Sequence, residues 1–132
     1  MKPIIHASGK RKRAIARATL REGTGIVKIN KKFLDYWEPE MYRLKIQEPL
    51  ILSGEIGEKV NIDVNVHGGG LSSMAGAARL AISRCLVQHS PRLKEQFLGY
   101  DRQLLIADVR RKESAKPNSH GQARSKLQKS YR

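Results

Sequence analysis

Val60-Asn61-Ile62-Asp63-Val64-Asn65-Val66 alternates without a fault: Val60, Ile62, Val64 and Val66 fall on one face and polar residues on the other. A period of two predicts a half-buried strand. His67-Gly68-Gly69-Gly70 follows directly, then Leu71 to His89, in which Leu71, Met74, Ala75, Ala78, Ile82, Cys85, Leu86 and His89 recur at three- and four-residue spacing. That stripe predicts an amphipathic helix, ended by Ser90-Pro91. A strand with one apolar face beside a helix with one apolar stripe predicts a mixed α/β (α+β) two-layer sandwich.

Working outward, Ile26-Val27-Lys28-Ile29 reads as a second strand behind the turn Gly23-Thr24-Gly25, which invites a hairpin with the preceding segment. That segment, Arg13 to Arg21, is compatible with strand or helix. Alternation puts Ala14, Ala16, Ala18 and Leu20 on one side and Arg13, Arg17 and Arg21 on the other, while alanine favours helix. We read it as a strand because the turn supplies a hairpin partner. Glu40 to Gln47 reads as a short helix stopped near Pro49, with Asp35, Glu38 and Glu40 suiting its N-terminal end. Arg92 to Leu98 adds a turn or two of helix, and Gln103 to Val109 reads as a last strand. No internal repeat is visible.

The chain has 132 residues, with 26 Lys and Arg against 12 Asp and Glu, a net +14. That length suits one domain. So much self-repulsion points to a polyanionic partner, a polyphosphate backbone above all. The surplus sits at the ends. Residues 1–32 hold ten Lys and Arg and one acid, Glu22; residues 33–105 hold eight and nine; residues 106–132 hold eight against Asp108 and Glu113.

Residues 1–109 are accordingly expected to form the globular RNA-binding domain. Residues 110–132 are expected to form an extended basic tail, because Ala115, Ala123, Leu127 and Tyr131 are its only apolar side chains. Such a segment buries too little to offset its ordering entropy and should be disordered until bound to RNA. Fully extended, it reaches at most about 75 Å.

Other classes find little support. The apolar runs are a few residues long, so no membrane span is expected, and Met1 to His6 has no apolar stretch of a secretory leader. A single cysteine suits a reducing compartment and leaves no internal disulfide.

The glycine run departs from the known phosphate-binding and oxyanion-hole loops. Ser73 stands where the dinucleotide fingerprint needs its third glycine; no lysine lies between Gly68 and Arg79 for a Walker loop; and no Gly-x-Ser-x-Gly elbow accompanies it. Two readings remain: a tight strand-to-helix turn with close packing at Ala75-Gly76-Ala77-Ala78, or a phosphate site at a helix N-terminus.

His6, His67, His89 and His120 lack paired ligand spacing, so neither a metal nor a cofactor is expected. Cys85 lies on the apolar stripe as a core residue, and no catalytic machinery is visible.

The remaining signal is cationic. Gly9 reads as a flexible residue ahead of Lys10, Arg11, Lys12 and Arg13, and the series continues into Arg17 and Arg21. Arg110, Arg111, Lys112, Lys116, Arg124 and Lys126 extend it along the tail. Lysines supply point charge; arginines clamp phosphate bidentately or stack on bases. Most of the seven aromatics lie in the neutral middle, which favours recognition of RNA backbone and shape over base stacking. Tyr131, between Ser130 and Arg132, is the exception, free to stack.

Read together, Gly9-Lys10-Arg11-Lys12-Arg13-Ala14-Ile15-Ala16-Arg17-Ala18, His67-Gly68-Gly69-Gly70-Leu71-Ser72-Ser73-Met74-Ala75-Gly76-Ala77, Arg110-Arg111-Lys112-Glu113 and Ser125 to Arg132 resemble, in order, the signatures of the small-subunit ribosomal protein S-nine family. The ending Lys129-Ser130-Tyr131-Arg132 and the Lys-Arg-Lys-Arg opening resemble its archaeal and eukaryotic branch, Tyr131 standing where the bacterial form has a cation.

The resemblance implies a sandwich like the second domain of ribosomal protein S-five, a place in the head of the small subunit on ribosomal RNA beside other head proteins, and a cytoplasmic ribosome as its location. It implies no enzymatic activity, no small-molecule substrate and no membrane partner. It also implies a tail that reaches the anticodon stem-loop of peptidyl-site tRNA through Lys129, Tyr131 and Arg132. The alternatives from composition alone are a protein subunit of an RNA-processing particle such as ribonuclease P, and a DNA-compacting protein.

Overall fold

A computed structural model describes residues 2–124. Strand β5, Val60–His67, carries the alternation of the opening motif, with Val60, Ile62, Val64 and Val66 buried. It lies at the centre of a five-stranded sheet in the order β1-β2-β5-β3-β4. The other strands are β1 (Ile5–Arg11), β2 (Ala14–Glu22), β3 (Val27–Ile29) and β4 (Lys32–Phe33).

The alternation in Arg13 to Arg21 resolves as strand: Ala14, Ala16, Ala18 and Leu20 are all buried, and Arg17 and Arg21 project from the opposite face. Its partner is not the expected one. Beta2 pairs along its whole length with β5, Ile15 opposite His67 through Glu22 opposite Val60, and β3 pairs in parallel with the far edge of β5. A strand of eight residues outcompetes one of three for the same edge.

The Gly23-Thr24-Gly25 turn therefore crosses the end of β5 instead of closing a hairpin. The Gly23 amide donates to the Lys59 carbonyl, and the Asn61 side-chain oxygen accepts from the Thr24 and Ile26 amides. The short β3 is prolonged by Asn30, whose side chain donates to the Val66 carbonyl and accepts from the Val66 amide, imitating one more ladder step. Among the described residues the hairpins join β1 to β2, from Ile5 opposite Leu20 to Arg11 opposite Ala14, and β3 to β4, with Lys28 opposite Phe33 and Ile29 opposite Lys32.

The helices are α1 (Glu40–Ser53), α2 (Glu55–Glu58), α3 (Leu71–His89) and α4 (Leu93–Tyr100). Alpha3 packs on the sheet against β1, β2 and β5, and α1 and α4 pack against α3, so sheet and helices form the expected sandwich. Alpha3 begins and ends where the sequence predicts. It is buried on more than a stripe, from Ala75 through Ile82 to Leu86 with only Gly76 and Arg84 half-buried, because the sheet lies on one side and α1 and α4 on the other. Leu71, at its start, is half exposed.

Alpha1 runs six residues beyond Gln47 and through Pro49. Proline deprives one carbonyl of its donor, but Pro49 is fully buried between Ile46 and Ser53 on the inner face, and that packing offsets the missing bond. The segment 103–109 is not a strand: Asp101 accepts from the Gln103 amide to start a short 3-10 turn, Arg102–Leu104, which buries Leu104. Arg84 then holds the chain by donating to the Leu105 carbonyl and to the Ser8 carbonyl of β1, so side-chain bonds replace a ladder. Among the described residues no helix is long and apolar enough to cross a membrane.

Candidate nucleic-acid interface

The first cationic run is the end of the β1–β2 hairpin. Gly9 is not flexible; it is a buried residue of β1, packed on α3. Because strand neighbours alternate, Lys10 is turned to the open face and Arg11 towards the helices, while Lys12 and Arg13 form the exposed turn. Lys12 is held at φ +52, a region a lysine rarely adopts. Its carbonyl accepts a 2.6 Å hydrogen bond from Arg111, a residue ninety-nine positions away. Arg17 and Arg21 continue along the open sheet face, both exposed.

The glycine loop presses against this turn. Gly68 and Gly69 have φ +80 and +67, and a Cβ on Gly68 would lie 2.6 Å from the Arg13 carbonyl oxygen. Two of the three glycines thus serve a close approach of backbone to backbone, which supports the tight-turn reading. Gly70, with open space around it, is the N-cap of α3 and offers no side-chain cap. The first amides of that helix have no acceptor within it and mark its positive end.

The third contribution comes from the tail. A groove of about 950 Å³ is bounded by Lys10, Lys12 and Arg13 from the hairpin, by Gly69, Gly70 and Ser73 from the head of α3, and by residues 110–115. The two motifs that stood apart in sequence, and the root of the tail, are walls of one cationic groove. Phosphate oxygens suit such a lining, since three arginines, three lysines and unsatisfied amides converge there.

Asp108 fixes this arrangement, although in the sequence it is only one of two acids in a basic segment. Its carboxylate accepts from Arg11 of β1 at 2.8 Å and from Arg110 at 2.7 and 3.0 Å, and it also takes the Arg110 amide at 2.9 Å. Arg11 runs along Gly76 of α3, where a Cβ would meet its stem at 3.3 Å. The glycine makes the channel that lets Arg11 reach Asp108. Hence Arg11, counted with the phosphate-binding cations in the sequence, is half-buried and engaged within the protein.

The bonds from Arg110, side chain first and amide second, with Arg11 beyond them, hold the Asp108 carboxyl far below the usual carboxylate range. A depressed carboxylate stabilises the clamp at every pH above its ordinary value near 3.8, and the clamp is lost only as pH falls through the lowered value. We expect a carboxyl-carbon NMR titration to show Asp108 still ionised at pH 3, when surface carboxylates are protonating. Asp108→Asn should abolish that signal and speed protease cleavage between 108 and 112. An ordinary titration midpoint would refute the clamp.

Beyond the clamp, Arg111, Lys112, Lys116 and Arg124 are exposed. Glu113 accepts from Lys116 and from Arg124 at 2.7 Å, which lowers its own pKa. Lys126, Lys129, Tyr131 and Arg132 lie outside the described residues. Cys85 is fully buried, its thiol donating to the Ala18 carbonyl at 3.6 Å, and burial pushes it up to about 11, so it is a core residue and no nucleophile at neutral pH.

The family model described as Ribosomal protein S9/S16 matches residues 9–132. Relatives from Methanococcus maripaludis and Methanococcus vannielii, each called small ribosomal subunit protein uS9, are 46% identical over 132 residues, covering 98% of this chain and 98% of their own. These archaeal relatives fit the branch indicated by the two ends of the sequence. With the fold, the meeting of both signatures at one groove and a match over nearly the whole chain, this protein belongs to the ribosomal protein S9 family, which is not a family of enzymes.

Proposed function

We propose that the chain is a structural component of the small ribosomal subunit in the cytoplasm, seated on ribosomal RNA in the head and serving translation. The observation that carries this is the single groove built from the hairpin turn, the head of α3 and the tail root. Lys10, Lys12, Arg13, Arg110, Arg111 and Lys112 would face phosphates there, with Arg17 and Arg21 adding contacts along the open sheet. Beyond the root that Asp108 and the Lys12 carbonyl hold, the rest of residues 110–132 would be the second device, ordering along RNA, with Lys116, Arg124 and Lys126 on its course. Lys129, Tyr131 and Arg132 would end on the anticodon stem-loop of peptidyl-site tRNA.

Sucrose-gradient fractionation tests the first part: the protein should sediment with small subunits. Sedimentation with a ribonuclease P particle, or co-purification with chromatin, would replace this reading by one of its rivals. The tail end is tested by deleting Arg132 alone. Subunit assembly should be unchanged, and peptidyl-site tRNA binding should weaken by ~1.5–3 kcal/mol before screening, the worth of one charged hydrogen bond. Unaltered tRNA affinity on assembled subunits would refute the terminal contact.

A further inference from the structure

Half of the acids of this strongly basic chain lie in one stretch. From Asp35 to Glu58 there are six, against Arg43 and Lys45. This stretch includes α1 and α2, in the helical layer, on the other side of the sheet from Arg17 and Arg21.

Alpha1 turns Ile46, Pro49 and Ser53 inward. On its opposite face, at helical spacing, stand Met41, Leu44 and Ile51, which are 66%, 52% and 72% exposed. They border a groove of about 1100 Å³ whose other wall is Arg11 of β1, Ser72 and Arg79 of α3, and Asp101 and Gln103. Ile51 also borders a second groove, of about 610 Å³, together with Glu58. Three large apolar side chains in one line, rimmed by charge, mark an interaction surface.

The chemistry of its occupant follows from the rim. Arg79 cannot serve a phosphate, since its side chain is buried and ion-paired to Glu48 and, at 3.1 Å, to Asp101. Lys45 is disfavoured as a cation by burial and then by Arg11 and Arg79, with Glu48 and Asp101 opposing. Glu40 borders the groove beside Met41, and Glu58 stands at the other end of the stripe; both are exposed. The lining cations Arg11, Lys45 and Arg79 balance Glu40, Glu48 and Asp101, but Arg11 and Arg79 are engaged in ion pairs within the protein. The exposed charges left at the rim, Glu40 and Glu58, therefore complement a cationic peptide and not an RNA backbone.

We propose that the outer face of α1 docks a Lys- and Arg-rich amphipathic segment of another protein, whose apolar side chains cover Met41, Leu44 and Ile51 and whose cations meet Glu40 and Glu58. This surface is separate from the RNA-binding groove, and the proposal holds whether or not that groove binds RNA.

The test uses the full chain and a fluorescent 18-residue amphipathic helix of lysine and leucine as probe, read by anisotropy near physiological salt. Saturable binding is expected. Leu44→Ser with Ile51→Ser, and separately Glu40→Lys with Glu58→Lys, should each weaken it about tenfold or more, with unchanged circular dichroism. A benzoylphenylalanine at Leu44 should cross-link to the probe.

No binding, or binding that both variant pairs leave intact, would overturn the proposal. Tighter probe binding after deletion of residues 125–132 would make the chain's own end the occupant. A dimer broken by the serine pair would make it a second copy, and cross-linking of Leu44 to an added ribosomal RNA fragment would make it RNA. Each of these outcomes would overturn the proposal too.

Discussion

Gly9→Ala is expected to be among the most damaging single-methyl changes in the molecule. A Cβ at this position would lie 2.4 Å from the Ala77 carbonyl oxygen and 2.7 Å from the Ala81 amide nitrogen, both backbone atoms of α3, and 3.0 Å from the Leu80 Cβ. No rotamer change relieves a clash with backbone, so β1 must separate from α3. That layer contact is lined on the helix side by Ala77 and Ala81, and it is the closest packing of strand against helix that the glycine and alanines permit.

Overpacking of this kind costs ~1–3 kcal/mol when side chains can adjust, and backbone obstruction places Gly9→Ala at or above the top of that range. Denaturant titration of the variant measures the loss. Gly99→Ala supplies the opposite sign: nothing lies within 4 Å of its Cβ position in α4, so the helix should gain ~0.5–1 kcal/mol. Equal effects from the two substitutions would contradict the proposed layer contact. Because β1 also carries Lys10 and Arg11, losing this packing would disturb one wall of the cationic groove, and RNA binding should fall with stability.

What could be read in advance depended on whether the signal was local. Beta5 and α3 declare themselves by periodicity, and both run where their patterns run. Arg17 and Arg21 share a face because alternation alone dictates it. Pairing was less legible: the Gly23-Thr24-Gly25 turn has the composition of a hairpin, and only the competition between β3 and the longer β5 for one edge shows that it crosses over.

Gly9 was misread because a glycine ahead of four cations looks like a hinge, and the reason for it lies on a helix about seventy residues away. Asp108 was invisible for the same reason. Its partner Arg11 is remote in sequence, and the gap over Gly76 that joins them exists only after α3 packs on β1. The groove was legible in its parts but not as a whole. The hairpin cations, the glycine loop and the tail each carried a signal, and their meeting depends on β1, which local patterning did not reveal.

Deleting residues 110–132 should produce the largest functional effect, visible in salt dependence more than in affinity at one condition. The deletion removes eight Lys and Arg and one acid, Glu113. Each phosphate neutralised on single-stranded or irregular RNA contributes about −0.7 to the slope of log K against log salt. If the tail engages about six phosphates, truncation should flatten the slope by about 4.

The globular part keeps Lys10, Lys12, Arg13, Arg17 and Arg21, so a shallower dependence should survive. The Asp108 clamp sharpens the comparison. Cutting after Lys112 preserves Arg110 and Arg111, hence the groove wall and the bond from Arg111 to the Lys12 carbonyl. Cutting before Arg110 removes them and leaves Asp108 with Arg11 alone. The shorter chain should therefore lose both the tail's share of the slope and part of the groove's, whereas the longer should lose only the tail's. Titrations of both truncations and the full chain against one head-domain RNA fragment measure the two shares separately. A full-chain slope retained by the chain ending at Val109 would place the phosphate contacts elsewhere and refute the tail as an RNA-binding device.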